Sequence, residues 1–165
     1  MERVHDMVFD YQDRQIKICT QVLDTIAKYR QSDSGDSEAG GVLIGRENIS
    51  NDNLIIEFAT EPMPGDKRHR HRFYRKDKGH INFYQNLYNN DCGIYAYVGE
   101  WHTHPEAFPS YSRIDSANWK RIGENAGFDS TQIHIIAGYS ALRLWMYSCS
   151  KSIAKELVTI KWENM

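Results

Sequence analysis

The order of apolar patterns along this chain predicts an α/β fold, a mixed β-sheet with helices packed on it. Three observations carry that prediction. Short apolar runs at 41–44, 54–59, 94–101, 132–137 and 141–147 read as strands. Helical spacing of apolar residues appears after Ile18, from about 79 to 89 and from 115 to 125. Helices therefore alternate with pairs of strands, the pattern of a sheet with helices covering it.

Each element has a local reason. Residues 15–18 read as a short strand. Thr20 is a plausible cap for the helix that follows, with Val22, Leu23, Ile26 and Ala27 on its inward face. The serine-rich stretch 32–37 predicts a mobile, exposed loop. The strand at 41–44 then turns through 48–53 and returns at 54–59 as a meander. Gly40, Gly41 and Gly45 in this run predict close backbone approach at a functional site. Residues 62–75 break the pattern with prolines and the basic tract Lys67-Arg68-His69-Arg70-His71-Arg72-Phe73-Tyr74-Arg75. The 79–89 helix should place Ile81, Tyr84, Leu87 and Tyr88 in the core. Trp119 and Ile122 should face inward from 115–125, and 132–147 should form a hairpin about Gly138-Tyr139-Ser140. Alternation at 156–162 suggests a last edge strand.

Composition narrows the function classes. At 165 residues, 41% hydrophobic and 25% charged, the chain has ordinary globular proportions for one domain. A net charge of −2 gives no global field for nucleic acid or an anionic membrane. The basic tract is accordingly read as a surface for a protein partner or substrate, with nucleic acid the less favoured alternative. No apolar run is long enough to span a membrane, and the N-terminus leads into no signal-peptide core. Cys19, Cys92 and Cys149 form no C-x-x-C pair, which favours buried, reduced thiols and a cytoplasmic protein.

The most informative stretch is His102-Thr103-His104-Pro105 with Ser112 and Asp115 downstream. Alternate strand residues share a face, so the two histidines point the same way and Thr103 points oppositely. Pro105 ends pairing because it lacks a backbone donor. Asp115, in the first turn of a helix, can add a carboxylate oxygen. Two imidazoles and one carboxylate make a three-ligand zinc site with an open fourth position, which is a catalytic arrangement. Glu38, at the head of the apolar strand, is available as a base. Taken singly, each residue has a plainer reading. A histidine near a strand end is usually surface, Ser112 and Asp115 make an ordinary helix cap, and Glu38 closes a polar loop. No H-E-x-x-H or P-C-x-x-C signature competes with the site.

These residues resemble the JAB/MPN metalloproteases that carry the JAMM zinc motif, which cleave isopeptide or peptide bonds at the C-termini of ubiquitin-like proteins. The resemblance spans about 16–145. It rests on Glu38 with Gly40, Leu43 and Gly45, on Gly99-Glu100-Trp101-His102-Thr103-His104-Pro105, and on Ser112-Arg113-Ile114-Asp115. It implies a JAB/MPN metalloprotease domain over 1–165, an α/β sandwich related to the cytidine-deaminase-like fold. It also implies Zn2+ on His102, His104 and Asp115, Glu38 as general base, and Ser112 as a hydrogen-bond donor to the oxyanion. Glu100 shares a face with His102 and either orients an imidazole or is structural. The context G-E-W-H-T-H-P-E is similar to the bacterial stand-alone JAB proteins encoded beside cyclic-oligonucleotide (CBASS) anti-phage systems. There the peptidase reverses attachment of the C-terminus of a cGAS-like nucleotidyltransferase. The implied substrate is a protein with a flexible C-terminal tail. JAB enzymes acting on other bacterial ubiquitin-like or sulfur-carrier proteins share the motif. A non-catalytic MPN module is the remaining alternative, though such modules typically lose ligands that are all present here.

Overall fold

The computed structural model describes residues 5–127 and 131–165. The chain runs β1 (Met7–Tyr11), β2 (Arg14–Ile18), α1 (Thr20–Ala27), β3 (Gly40–Glu47), β4 (Leu54–Ala59), β5 (Lys67–His69) and β6 (Arg72–Tyr74). It continues through α2 (Gly79–Asn90), β7 (Ala96–Thr103), α3 (Arg113–Ala126), β8 (Thr131–Ala137), β9 (Ala141–Ser148) and β10 (Ile153–Lys161). One mixed sheet has the order β1-β2-β4-β3-β7-β8-β9-β10, and β5–β6 is a separate hairpin. β2–β4 and β7–β8 pair in parallel and the other neighbours antiparallel. The mixed sheet with helices expected from the sequence is present.

The sheet curls around α1. Val22, Leu23 and Ile26 are fully buried on that helix, among Ile16 and Ile18 of β2, Leu43, Ile56, Trp101, Ile133, Ile135, Leu144 and Ile160. The edge strands approach one another, with Lys155 Nζ of β10 5.2 Å from the Tyr11 ring of β1. Burial of each such aliphatic side chain contributes about 1.5–3 kcal/mol. Leu23→Ala should therefore cost roughly 2–5 kcal/mol. Alternation along β8 and β9 supplies the opposite face, where Trp119 of α3 packs with Ile136, Trp145 and Tyr147. Ile122 is only half-buried there.

Several expectations need correction. β1 was not foreseen, and β10 begins at Ile153. The patternless basic segment contains the β5–β6 hairpin. The aromatic residues of α2 are not core: His80 alone is buried on that helix, and Tyr88 is 47% exposed. α2 covers the margin of the sheet, with Phe83 edge-on to Phe58 and Tyr84 to Tyr97. The thiols are free but differ in setting: Cys149 is buried, Cys19 half-buried and Cys92 exposed. Among the described residues, no helix is long and apolar enough to cross a membrane.

A closed polar network ties 60–80 to the sheet. His80 Nδ1 lies 2.6 Å from Thr60 Oγ1, and His80 Nε2 lies 2.7 Å from Asp66 Oδ2. Thr60 Oγ1 also accepts from the Val42 amide at 2.9 Å. The hydroxyl therefore donates to Nδ1 and Nε2–H donates to the carboxylate, the tautomer that satisfies every group. Asp66 further accepts from the Met63, Lys76 and Asp77 amides. Burial opposes its ionisation, but these donors outweigh burial and hold its pKa low.

Candidate metal centre and active site

β7 sits in mid-sheet, with His102 opposite Gly40 of β3 and Ile136 of β8. Trp101 and Thr103 turn toward the α1 side. Thr103 Oγ1 accepts from the Ala39 amide and donates to Gln31 Oε1, both at 3.0 Å. His102 and His104 turn the other way, with ring centroids 4.7 Å apart. The His104 amide makes the last backbone bond, to Ala137 at 3.0 Å, before Pro105 ends pairing.

Asp115 arrives by helix capping. Ser112 is the N-cap of α3: its Oγ accepts from the Asp115 amide at 3.2 Å, and its own amide donates to Asp115 Oδ2 at 2.6 Å. The plain reading of this pair as a cap is correct, and the capped carboxylate also meets both imidazoles. Asp115 Oδ1 is 3.2 Å from His102 Nε2, and Oδ2 is 3.4 Å from His104 Nε2. The two Nε2 atoms are 2.9 Å apart. His102, His104 and Asp115 thus form a group able to hold a metal ion. The chemistry of the donors fits a divalent cation. Opposed imidazole lone pairs at that distance repel unless a proton or a cation lies between them. Ligands about 2.0–2.1 Å from a tetrahedral zinc would stand about 3.3 Å apart, close to the observed separations.

Electrostatics follow from burial and partners. Burial works against the Asp115 charge, but the two imidazoles and the Ser112 amide overcome it and hold the carboxyl well below the usual range. Burial likewise opposes charging of His104, yet Asp115 and Glu38 raise its pKa. Glu38 is 5% exposed. Burial, with the Asp115 charge adding to it, pushes Glu38 up from 4.5 to about 7 against the opposing pull of His104.

Glu38 lies on the coil before β3, and three neighbours fix that coil. The Glu38 amide donates to His69 O at 2.8 Å, while Arg68 Nε donates to Glu38 O at 2.9 Å and Nη2 to Ser37 O at 3.1 Å. Arg70 Nη1 bonds the carbonyls of Asp33 and Ser34. The loop expected to be mobile is exposed but strapped down. Arg68 and Arg70, expected to meet a partner, are instead committed to positioning this loop. Gly40 is required at the hairpin contact: a Cβ there would stand 2.6 Å from the Phe73 ring and from Trp101 O. Gly45 approaches the Ile55 carbonyl instead, away from the site.

Glu38, His102, His104, Ser112 and Asp115 line one cleft of about 610 Å³. Glu100 borders it but serves a structural role. Its Oε1 accepts from Arg75 at 2.9 and 2.7 Å and from Tyr97 at 2.9 Å. The carboxylate nearest the outer nitrogen of an imidazole is Glu106, 3.9 Å from His104 Nδ1, which has no hydrogen-bond partner. His134, buried and stacked on Trp119 at 4.7 Å, accepts the Glu100 amide on Nδ1. Burial pushes its pKa down to about 3, so it stays neutral near the His102–His104–Asp115 group. Thr103, Gln31 and His134 were missed because each looks like an ordinary buried or loop residue in sequence.

Across residues 20–148, which span the sheet, α1, the histidine pair and the capped aspartate, the chain matches the family of prokaryotic homologs of the JAB domain. The chain belongs to that family. A CD-NTase/cGAS isopeptidase of Pseudomonas aeruginosa is 34% identical over 120 residues, 73% of this chain and 75% of that protein. Proteins of the same description from Escherichia coli and Vibrio cholerae are 36% and 33% identical, over 70% and 81% of this chain and 74% and 83% of theirs. The solution structure of a Desulfitobacterium hafniense protein shares the fold, with a TM-score of 0.59 at 16% identity over 85% of this chain and 88% of that one.

Proposed function

We propose that this chain is a zinc-dependent JAMM-type isopeptidase that removes a protein conjugated through its C-terminus, a cGAS-like nucleotidyltransferase of a bacterial anti-phage system. The observation that carries this reading is the His102–His104–Asp115 group sharing a cleft with Glu38, in a chain related to CD-NTase/cGAS isopeptidases. The domain would extend over 1–165 and work in the cytoplasm, in keeping with three free cysteines.

Zinc on His102, His104 and Asp115 would supply Lewis acidity and an acidified water. Glu38, whose pKa burial raises in the metal-free cleft, takes the proton of the attacking water and returns it to the leaving amine. The Ser112 Oγ accepts from the Asp115 amide, so its own proton remains to be donated to the developing oxyanion. The Asp115–Ser112 cap holds ligand and donor in one rigid turn, and Thr103 with Ala39 fixes the base relative to the histidines.

The test is a reporter fused to the C-terminus of the nucleotidyltransferase, beside a scrambled tail. Cleavage directly after the native tail, abolished by Glu38→Gln, is expected. Equal cleavage of the scrambled tail would remove the specific substrate from the reading.

A further inference from the structure

Of the four Lys and Arg side chains that line the cleft, only Arg75 is hydrogen-bonded to one of its carboxylates. Each acid that lines it is engaged. Asp115 faces the imidazoles, Glu38 takes the position of the base, Glu100 is paired with Arg75, and Glu106 accepts from the Ser110 amide at 3.0 Å. Arg72, Lys76 and Arg121 also line it, and none of their side chains forms an ion pair or hydrogen bond with any described residue. Arg72 Nε is shielded from solvent and has no hydrogen-bond partner. A buried donor left unmade is costly, and an arriving acceptor at the guanidinium offsets that cost.

These cations are held in a definite arrangement. Arg72 and Tyr74 lie on β6 and Lys76 follows two residues beyond Tyr74. The Arg72 guanidinium stands 4.8 Å from the Tyr74 ring centroid and Lys76 Nζ 5.7 Å from it. The facing wall is α3, where Ile114, Asn118 and Arg121 line the same cleft at helical spacing. Ile114 is 48% exposed and Tyr74 39%, so both walls offer apolar surface beside the charge. Mixed cationic and apolar walls suit the side chains of a polypeptide. Same-side residues of an extended chain repeat every ~6.6–7 Å, which lets alternate residues of one tail reach both cations beside the ring. The chain as a whole has a net charge of −2, so this attraction is local to the cleft.

We infer that the Arg72–Tyr74–Lys76 group, with Arg121 opposite, selects substrates whose C-terminal tail carries acidic residues at alternate positions near the scissile bond. This deepens the proposed function and rests on it for the identity of the tail as the cleaved segment. Selectivity should appear in binding and KM, leaving kcat little changed.

The experiment measures fluorescence anisotropy of labelled tail peptides with zinc-loaded Glu38→Gln protein, so that binding is read without turnover. A peptide with two aspartates at alternate positions should bind about 10-fold tighter than its asparagine counterpart in low salt. Arg72→Gln with Lys76→Gln should remove that difference while zinc content and Tm stay unchanged. The charge-reversed pair Arg72→Glu with Lys76→Glu should prefer a lysine-bearing peptide. Equal affinity for the aspartate and asparagine peptides, or a preference that survives the double substitution, overturns the proposal. A single-stranded oligonucleotide of equal charge that binds as tightly, and loses affinity in the same variant, overturns it in favour of nucleic acid. Selective binding without cleavage of any tail would leave this surface standing and sink the isopeptidase reading alone.

Discussion

Among the described residues histidine meets aspartate in two clusters, and they are built to opposite ends. In the Thr60–His80–Asp66 network each donor has one acceptor, and His80 is wholly buried. In the His102–His104–Asp115 group, two ring nitrogens face each other and a carboxylate across 2.9–3.4 Å, with acceptors in excess of protons. The first group is saturated and closed, and it fastens a segment to the sheet. The second is short of positive charge and opens on a cleft. Residue type alone does not separate structure from chemistry here; the count of unmet hydrogen-bonding positions does.

The sharpest challenge to this contrast is removal of ligands. His102→Ala with His104→Ala should reduce zinc from about one per chain to none by elemental analysis, with turnover below detection. Stoichiometric zinc in that variant would place the metal elsewhere. Glu38→Gln should keep zinc yet lower kcat by about 10²–10⁴-fold in the reporter assay. Ser112→Ala should lower kcat by about 10²-fold through loss of the oxyanion donor, and stability by about 1 kcal/mol through loss of the cap. Calorimetry and kinetics on one preparation separate those two effects. His80→Ala should reverse the pattern. Zinc and kcat should persist well below Tm, while urea unfolding shows a loss of about 2–4 kcal/mol from stranding Thr60 and Asp66. If His80→Ala instead strips zinc, the two clusters are not independent.

The subtlest test uses pH on metal-free protein. Burial raises Glu38 from 4.5 to about 7, so the folded state holds its proton more tightly than the unfolded chain. That favours folding below pH about 4.5, and the advantage is lost as pH rises toward 7. Metal-free Glu38→Gln should therefore exceed metal-free wild type in stability at pH 8, by no more than about 3 kcal/mol, and the gap should close by pH 4. A constant gap across that range would mean that Glu38 is not buried in its charged form.

The metal group was legible because strand alternation and helix capping are local rules. Residues 102 and 104 share a face by period two, and Ser112 with Asp115 falls at capping distance. The order of strands and helices likewise gave the mixed sheet. The rest depends on contacts between distant segments. Thr60, Asp66 and His80 look ordinary apart, and only the folded chain joins them. β5 and β6 are three residues each, rich in cations and without apolar alternation, so no periodic signal announces them. Arg68 and Arg70 were grouped with Arg72 by charge, yet hairpin geometry sends the first two to loop carbonyls and leaves the third in the cleft. α2 was placed in the core because aromatic spacing does not report that a helix lies at a sheet margin.

The position of β7 has a consequence for the order of synthesis. Every residue of the site, from Glu38 to Asp115, precedes the strands that complete its platform, β8, β9 and β10. A nascent chain that has emerged only through α3 holds the His102–His104–Asp115 group and Glu38 but lacks the β8 partner of β7 and the Trp145 and Tyr147 side chains on which Trp119 rests. Its Val98 and Trp101 lie on a strand paired with β3 alone, and the open β8 edge invites association. The complete cleft is thus withheld from the growing chain and arrives late, when residues 131–161 close the sheet.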